Sequence, residues 1–396
     1  MSEAIHTLLL SANGVGWKKV LSDTVVRGVL HDPRNWEELP ESWKRRNFFR
    51  QIYGQRYETL SYLKDWHDAF IQNRHLVIDD CNINNLIHYG GCLRNIRKYD
   101  FIVVLHSATG DNLGLLLKTT AFFQKRRGIL LVLVGNEYNL LSNKRKFIND
   151  TEADYIGSQL PIDTARWLYS DCIRSRVIET PHALNPDLYH PLPALERTVD
   201  IGFIGDFYSY AIGDVERSTI IRFFRENGQS YGLNCMIRQK RLPAVEWNRF
   251  LNQCKGIAGA ESGTYYLEKD DRTMTAVQDY LRKYPAASFE EVYERFYQNY
   301  QNPVNGKALS SRHFEPIGTK TCQVLLEGYY NGILEAGKHY ISVKRDFSDI
   351  ADAIAQFKDA DYRNQIVQTA YQYVLENHTY HHRVKSILKE IFQIES

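Results

Sequence analysis

The sequence predicts an α/β protein of two domains, each with a parallel β-sheet that is covered by helices on both faces. Strand-like and helical segments alternate through both halves of the chain, and such alternation is typical of parallel sheets. The strand-like segments are continuous runs of Val, Ile and Leu, as expected when both faces of a sheet are buried. The chain has 396 residues, whereas a single hydrophobic core stops growing at roughly 250–300 residues. We therefore expect two domains.

The first half opens with an apolar strand at residues 6–12 that leads into the turn Asn13-Gly14-Val15-Gly16. Gly14 and Gly16 suit a ligand-binding turn at the edge of a sheet, and they suit equally a tight turn that requires positive φ. The pattern then predicts helices at residues 46–70, 84–98 and 113–127, and strands at residues 75–79, 101–105, 129–134, 154–160 and 176–183.

Polar side chains follow three of these strands, and they are Asp79-Asp80, His106-Ser107 and Asn136-Glu137. Because the carboxyl ends of parallel strands meet at one edge of a sheet, we expect these groups on a rim that faces a ligand. Each group also suits a helix cap or an ion pair, and for Asp80 this second interpretation is favoured. His106 is the more specific candidate, because it follows a buried strand and has no partner nearby in the sequence.

Four prolines mark the connection between the two halves, and they are Pro181, Pro186, Pro191 and Pro193. Such a segment cannot form a helix interior and is typical of an interdomain connector, so we place the domain boundary near residue 195. The second half repeats the alternation, with strands at residues 199–204, 233–237, 256–260 and 340–343, and helices at 215–227, 245–254, 348–357 and 380–392. Residues at about 265–301 are polar and rich in tyrosine, and we interpret them as a helical insertion or lid.

The second half contains candidates for an anion-binding site. Gly205 and Asp206 end its first strand, and Glu261 follows another strand. Arg217 lies near the start of a helix, where backbone N–H groups already favour negative charge. A cationic cluster that suits a diphosphate follows a third strand, and it consists of Arg238, Lys240 and Arg241. For Arg217 and for the cluster, a solvated surface position is the alternative.

Composition limits the class of protein. The chain is 43% hydrophobic and 24% charged, as in ordinary globular proteins, and its net charge of +2 gives no argument for a nucleic-acid partner. The six cysteines lack CxxC spacing and predict buried free thiols in a reducing compartment. Glu3 lies where a signal peptide needs positive charge, and no window reaches the roughly 18 apolar residues of a membrane span. We expect a cytoplasmic protein, and we leave open peripheral contact with the inner face of a membrane.

Residues 311–350 carry the most specific pattern. Arg312 and Glu315 lie on a predicted short helix, which the turn Gly318-Thr319-Lys320 connects to an apolar strand at residues 322–326. A charged pair beside a buried strand is costly unless it meets a ligand or a partner charge. The pair is therefore a candidate site. An intrahelical ion pair between Arg312 and Glu315 is the alternative, and it would contribute a few tenths of a kcal/mol, roughly, to stability.

The order of several short motifs in this half resembles a known family. They are Arg312-x-Phe314-Glu315, the apolar strand, Asp346-Phe347-Ser348-Asp349-Ile350 and His378-Thr379-Tyr380-x-x-Arg383. Together they are similar to the second half of GT-B glycosyltransferases of the spore-maturation CgeB type, within the glycosyltransferase family 1-like group. The resemblance covers roughly residues 200–383, whereas the first half is similar only in architecture.

The resemblance implies a GT-B fold, with two facing Rossmann-like, doubly wound domains, a cleft between them and C-terminal helices that cross back. Residues 1–195 would then form the acceptor side and residues 196–378 the donor side, with the helix in 379–396 packed on the first domain. Glu315 matches the glutamate that binds the donor ribose, and Arg312 matches its accompanying arginine. Thr319 and Lys320 occupy the turn where related enzymes have small residues, so Lys320 either reaches a phosphate or points to solvent.

A second departure from the family concerns Lys307. Retaining GT-B enzymes have two glutamates eight residues apart, and Lys307 occupies the earlier position, so the stereochemical outcome stays open. An inverting reaction needs a base within reach of the acceptor hydroxyl, and the candidates are His106, Asp79, Asp80 and Glu137. No DxD motif or His/Cys cluster in the sequence demands a metal, and we predict no cofactor.

We therefore predict a metal-independent glycosyltransferase that moves a sugar from a nucleotide sugar to a glycan, glycolipid or protein acceptor, in the synthesis of a surface polysaccharide or glycoconjugate. Two alternatives remain. One is a nucleotide-sugar epimerase on the same fold, which would act on the donor alone. The other is a non-catalytic module that binds a nucleotide or a sugar.

Overall fold

The computed structural model describes residues 4–14, 16–32, 38–53, 60–111, 113–207 and 210–394. The chain forms two compact units: unit 1 is Met1–Ser158 with Ala165–Thr180, and unit 2 is Gln159–Thr164 with Pro181–Ser396. The units divide after Thr180, where the proline-bearing segment begins. The acceptor and donor roles that we assigned to residues 1–195 and 196–378, and the packing of residues 379–396 on the first domain, stay predictions.

Unit 1 is built on a six-stranded parallel sheet with the strand order β2-β1-β3-β4-β5-β6. The strands are β1 (Ile5–Ser11), β2 (Leu76–Asn82), β3 (Phe101–Val104), β4 (Ile129–Val134), β5 (Tyr155–Ser158) and β6 (Arg176–Glu179). Strands β3 and β4 are almost completely buried along their length. This agrees with the apolar runs from which a parallel sheet was predicted.

The helices of unit 1 are mostly short. They are α1 (Trp17–Asp23), α2 (Glu41–Lys44), α3 (Asn47–Tyr53), α4 (Ser61–Ile71), α5 (Leu86–Arg94), α6 (His106–Asp111), α7 (Leu113–Leu117), α8 (Thr120–Phe123) and α9 (Leu141–Thr151), and α10 (Ile162–Leu168) begins in unit 2 and ends in unit 1. A π-helix at Thr24–Val29 follows α1, and a 3-10 turn at Ile96–Lys98 follows α5.

Two predicted helices of unit 1 are wrong as single elements. The helix expected at residues 46–70 consists of α3 and α4, and residues 54–59 between them lie outside the described residues. The helix expected at residues 113–127 is divided into α7 and α8 at Thr119. The Thr119 hydroxyl donates to the carbonyl of Leu115 at 3.1 Å, and such side-chain bonds to the preceding turn compete with regular helix geometry.

Unit 2 is built on a five-stranded parallel sheet with the order β13-β12-β9-β7-β8, and a two-stranded antiparallel ribbon, β10-β11, accompanies it. The strands are β7 (Val199–Ile204), β8 (Cys235–Arg238), β9 (Cys254–Gly259), β10 (Ser262–Thr264), β11 (Gly306–Ala308), β12 (Cys322–Leu326) and β13 (Ile341–Val343). The helices are α11 (Glu216–Asn227), α12 (Ala244–Gln253), α13 (Arg272–Lys283), α14 (Phe289–Phe296), α15 (Ser311–Gly318), α16 (Ile350–Lys358), α17 (Ala360–Asn377) and α18 (Tyr380–Phe392).

The sheet of unit 2 separates two apolar cores. Leu325 on β12 packs into the core that contains Phe250 and Phe314. Its neighbour Val324 packs into the opposite core, with Ile201. Because successive side chains of a strand point to opposite faces, β12 is buried on both sides, as predicted for residues 322–326. The predicted insertion is helical and has a small core of its own, around Val277, Val292 and Tyr297.

Two properties of the whole chain were also predicted. The six cysteines are free thiols, and all except Cys235 are buried. Among the described residues, no helix has both the length and the apolar character that a bilayer crossing requires.

Candidate functional site

Unit 2 contains an open pocket of about 410 Å³, a volume that includes the solvent at its mouth. Its walls come from the ends of β7, β9 and β12, from α12 and from the first turn of α15. The lining residues are Phe203, Arg217, Trp247, Ile257, Ala258, Gly259, Ala260, Ser262, Ser310, Arg312, His313 and Leu325. Two arginines and two large aromatic rings face the pocket, and none of these lining residues is acidic. Such a lining suits an anionic ligand that carries an aromatic group.

Arg312 is held in the pocket wall by two contacts. Its Nη1 donates to the carbonyl oxygen of Ile204, at the end of β7, over 2.9 Å, and its Cζ lies 4.5 Å from the centre of the Trp247 ring. A Cβ atom at Gly205 would lie 3.4 Å from Nη1 of Arg312, so Gly205 is adjacent to the guanidinium. Burial lowers the pKa of Arg312, against the favourable charge of Glu315. A guanidinium nevertheless stays protonated at neutral pH.

Trp247 also binds the second member of the predicted pair. Its indole Nε1–H donates to Oε2 of Glu315 over 2.7 Å, and both side chains are buried. Trp247 therefore lies between Arg312 and Glu315, with its ring against the cation and its N–H on the carboxylate. Glu315 itself is not among the residues that line the pocket.

Arg217 and Arg241 also lie near Arg312, and both contact Asp206, which follows β7. Nη2 of Arg217 donates to the backbone carbonyl of Asp206 over 3.0 Å, and Nε of Arg241 contacts Oδ2 of Asp206 at 2.7 Å. The charges of Arg217 and Arg241 both oppose protonation of Arg312 and so contribute to the lowering of its pKa after burial. Cations that lie this close favour a bound anion.

His313 is a structural residue of the pocket wall. Burial lowers its pKa to about 4, so the imidazole is neutral at pH 7. Nδ1 accepts from the backbone N–H of Ser310 over 3.0 Å, and Nε2 lies 3.1 Å from the carbonyl oxygen of Ala260. A neutral imidazole satisfies both contacts only with its proton on Nε2. The side chain thereby joins the start of α15 to the end of β9.

Glu261 holds the loop that follows β12. Oε1 accepts from the backbone N–H of Tyr330 over 2.7 Å, and burial raises the pKa of this carboxyl against the effect of that bond. A Cβ atom at Gly328 would lie only 2.5 Å from Oε2 of Glu261. The observed contacts of Glu261 are therefore with its own protein, and its predicted donor contact stays a prediction.

Lys307 lies in a buried ionic network. Its Nζ lies 2.5 Å from Oδ2 of Asp214 and 3.1 Å from Oε2 of Glu216, and the Lys307 and Asp214 side chains are both 0% exposed. Arg345 binds Glu216 as well, at 2.9 Å. Burial raises the pKa of Asp214, and the charge of Lys307 opposes this rise. The lysine that departs from the family pattern thus has two carboxylate partners.

The remaining predicted donor residues of unit 2 lie away from the pocket lining. Thr319 is buried and donates to the carbonyl of Pro316 over 3.0 Å. Nζ of Lys320 contacts Gln368 of α17 at 3.0 Å and lies 4.6 Å from the centre of the Tyr371 ring. Arg238, the last residue of the edge strand β8, and Lys240, which follows it, are both exposed. Their roles in donor binding stay predictions.

Three of the four catalytic candidates of unit 1, His106, Asp80 and Glu137, have different surroundings. His106 is buried at the start of α6, with its ring 5.3 Å from that of Trp66. Oδ1 of Asp80 lies 3.0 Å from Nε2 of His67, so the ion pair that the sequence analysis favoured for Asp80 is present. Oε1 of Glu137 accepts from the hydroxyls of Ser158 and Tyr169, each at 2.7 Å. Their catalytic roles stay predictions.

The glycines after β1 have positive φ, +96° at Gly14 and +90° at Gly16. This backbone region favours glycine strongly, so the turn needs both residues for its conformation. Asn84 Nδ2 donates to the carbonyl oxygen of Gly14 at 3.4 Å. The positive φ angles agree with the interpretation that both glycines serve a tight turn. Contact of these glycines with a donor stays a prediction.

Two groups at this site were not predicted from the sequence. Trp247 was placed in a helix from the sequence but was given no role at the site. The available signal was its position, the fourth residue of an amphipathic helix that Pro243 precedes. Asp214 and Glu216 precede and begin α11, and nothing in the sequence links them to Lys307, which lies about ninety positions later. Their contact depends on β11 and its antiparallel pairing with β10.

The sequence and the fold were compared with those of known proteins. Residues 245–389 match the profile of a family described as glycosyl transferase-like. No curated protein matches the sequence. Among solved structures, an alpha-glucosyltransferase in complex with UDP-glucose and DNA containing an abasic site is similar, with a TM-score of 0.56 and 9% identity, over 98% of this chain and 100% of that chain. The Anabaena protein HepE in complex with UDP and glucose is similar with a TM-score of 0.50 and 10% identity, over 98% of this chain and 100% of that chain.

The matches define the class of protein. At 9% and 10% identity the solved structures show the fold alone, and this fold is GT-B. The family match then assigns residues 245–389, which include Trp247, Arg312 and Glu315, to a glycosyl transferase-like domain. The predicted GT-B fold and glycosyltransferase class are confirmed.

Proposed function

We propose that the protein transfers a sugar from a nucleoside diphosphate sugar, and that the pocket of unit 2 binds the nucleotide part of this donor. The observation that carries the proposal is the convergence of Arg312 and Arg217 on a pocket with no acidic lining residue among those described. A diphosphate carries negative charge that complements these guanidinium groups, and Arg is well suited to bidentate phosphate contacts.

Two further features support a nucleotide as the ligand. Phe203 and Trp247 line the same pocket and offer aromatic surfaces for a base. The two similar solved structures contain UDP-glucose in one case and UDP with glucose in the other. UDP is therefore the first nucleotide to test.

In the proposed reaction the bond between the anomeric carbon and the diphosphate breaks, and the oxygen of an acceptor hydroxyl forms the new bond. The hydroxyl gives its proton to a base, and in an inverting reaction the candidates for this base are His106, Asp79, Asp80 and Glu137. Negative charge develops on the leaving diphosphate, where Arg312 and Arg217 would stabilise it. We propose that these residues do so without a divalent metal. Glu315 would bind the donor ribose through its carboxylate, in the orientation that the Trp247 indole fixes.

Calorimetric titration of the full-length protein with UDP tests the proposal. We expect wild-type protein to bind UDP, and the change Arg312→Gln to weaken binding by about tenfold to a hundredfold, since it removes a charge-assisted phosphate contact worth roughly 1.5–3 kcal/mol. Arg282→Gln is the matched control, because Arg282 is exposed on the insertion and pairs with Asp279 of its own helix. Equal affinity of the Arg312 and Arg282 variants would contradict the assigned pocket.

Turnover of a labelled UDP-sugar, with and without a saccharide acceptor and with a chelator present, tests the chemical step. Transfer to the acceptor in the presence of the chelator is the expected result. Epimerisation of the donor without an acceptor would favour the epimerase instead, and binding without turnover across acceptors would favour a non-catalytic module. We propose a glycan, glycolipid or protein as acceptor and a role in the synthesis of a surface polysaccharide or glycoconjugate.

A further inference from the structure

Unit 1 contains a cluster of three metal-ligating side chains that no part of the proposed reaction uses. Cys81, His88 and Cys92 each direct one ligand atom into the cluster, and the three atoms lie within 4.8 Å of one another. Cys81 and Cys92 are buried, whereas His88 is exposed. The two thiols are thus protected from solvent, while the imidazole leaves one side of the cluster open to an incoming ion.

The fold brings these residues together from two elements. Cys81 lies near the end of β2, and His88 and Cys92 lie on α5. Residues four positions apart share one face of a helix, so α5 presents an imidazole and a thiol to the strand that precedes it. Cys81 and Cys92 are eleven positions apart, too far for the CxxC pattern, and for this reason the sequence predicted only free thiols.

The helix also has room to adjust. Gly90 and Gly91 lie between the two helical ligands, and a Cβ atom at either position would meet no other atom within 4 Å. Tetrahedral Zn²⁺ with bonds of about 2.0–2.3 Å needs ligand atoms roughly 3.4–3.8 Å apart. The three ligand atoms therefore have to approach one another by up to about 1.4 Å, and among the described residues no neighbouring element occupies the Cβ side of the two glycines.

A carboxylate beside the cluster offers an oxygen atom as a fourth ligand. Oδ1 of Asp79 lies 3.7 Å from Nε2 of His88. The other oxygen of Asp79 binds Nζ of Lys98 at 3.1 Å and accepts from the hydroxyl of Tyr99. The carboxylate can thus complete a four-ligand set, or it can orient the imidazole from outside, as carboxylates commonly do for metal-bound histidines.

We propose that Cys81, His88 and Cys92 bind one Zn²⁺ ion, with Asp79 as the fourth ligand or as the partner of His88. Two thiols and an imidazole are the donor set that zinc prefers, and they disfavour the hard cations Mg²⁺ and Ca²⁺. The thiols lose their protons when they bind the ion. The site belongs to unit 1, whereas the donor pocket belongs to unit 2.

Cobalt substitution of the untagged, full-length protein tests the proposal. Titration of metal-free protein with Co²⁺ should give a thiolate-to-cobalt charge-transfer band that saturates at one ion per chain, and Zn²⁺ should abolish it. His88→Ala should weaken Co²⁺ affinity at least about tenfold. Because His88 is exposed, this variant should fold normally, and circular dichroism checks that it does.

The cysteine variants complete the test. Cys92→Ser should reduce the charge-transfer band to about half of its intensity or less, because at most the Cys81 thiolate remains, whereas Cys235→Ser, the matched control on β8 of unit 2, should leave it unchanged. Absence of the band in the wild type, or an unchanged affinity in His88→Ala, would overturn the proposal. A purified wild-type protein in which mass spectrometry finds a disulfide between Cys81 and Cys92 would overturn it as well.

Discussion

At the scale of single residues, Trp247 determines how the predicted charged pair is arranged. Sequence spacing suggested that Arg312 and Glu315 either bind a ligand or pair with each other within α15. In the structure both contact the same indole, Arg312 against its ring and Glu315 through its N–H. The carboxylate and the guanidinium are each held by a neutral group, so the positive charge of Arg312 stays available to the pocket.

Replacement of Trp247 by Phe should lower both stability and UDP affinity. The change leaves Oε2 of Glu315 without its donor, and an unsatisfied buried acceptor costs about 1–3 kcal/mol. Urea unfolding measures the first effect and calorimetry the second. Adding Glu315→Leu to Trp247→Phe removes the unsatisfied carboxylate and should restore much of the stability without restoring UDP affinity. Unchanged unfolding of the single variant would show that the indole bond contributes little.

His67 should make stability depend on pH. Burial opposes protonation, but its bonds to Asp68 and Asp80 raise the pKa of His67 to about 9. The folded-state pKa thus exceeds the usual value of about 6.5. The ion pair with Asp80 therefore stabilises the fold fully below pH 6.5, and this contribution is lost as the pH rises through 9.

The comparison of wild type with His67→Gln from about pH 6 to pH 10 measures this effect. We expect the wild type to be more stable at the acid end by about 2 kcal/mol, a value reduced for solvent screening because the Asp80 side chain is 47% exposed. The difference should disappear above pH 9. A difference that stays constant across this range would contradict the raised pKa.

At the scale of elements, short segments far apart in sequence create the buried network around Lys307. Lys307 comes from β11, Asp214 and Glu216 from the start of α11, and Arg345 follows β13. Buried ion pairs are seldom better than apolar packing, yet removal of one partner is costly, because the other charge stays buried. The position of β11 relative to α11 therefore depends on the ion pairs of Lys307 with Asp214 and Glu216.

Replacement of Lys307 by Met should destabilise the protein by about 3–5 kcal/mol, since it leaves the Asp214 carboxylate buried without its cation. Glu216 keeps Arg345 as a partner, so Asp214 dominates the loss. The double change Lys307→Met and Asp214→Leu should recover most of the stability. Thermal unfolding of the two variants compares them directly, and equal losses would contradict this account.

At the scale of the whole molecule, the family match and the pocket fall in the same unit. The matched residues 245–389 belong to unit 2, and so does every residue that lines the pocket. Ligand that binds only the folded state stabilises it by mass action, by about 2.7 kcal/mol at a hundred times the dissociation constant. We therefore expect bound UDP to stabilise the residues that line the pocket more than the rest of the chain.

Hydrogen exchange of the full-length chain with and without UDP should locate this effect. We expect slower exchange after UDP binding in the segment between β7 and α11, at residues 205–207 and 210–215, and in α15. Peptides of the insertion, such as those in α13, serve as the internal reference. Protection confined to unit 1 would show that UDP binds elsewhere.

Much of the fold was predictable because it depends on local patterns. The apolar runs predicted β4, β7 and β12 at their observed bounds, and α18 was predicted at its observed bounds from its amphipathic spacing. The division of the helix predicted at residues 113–127 was missed because its cause at Thr119 is a side-chain bond, which helical periodicity does not reveal. The helix α9 was missed because its segment is polar and has only a few apolar positions.

The sequence by itself determined the α/β class, the two units and the short helix that carries Arg312 and Glu315, because alternation, apolar runs and motif order are properties of neighbouring residues. Only the tertiary structure decided that Trp247 binds both of these residues, that Lys307 meets Asp214 and Glu216, and that Cys81 lies beside His88 and Cys92. Those contacts join segments that are separated in the chain. Their distances depend on which strands are adjacent and which helix faces are buried, and composition and spacing do not specify either.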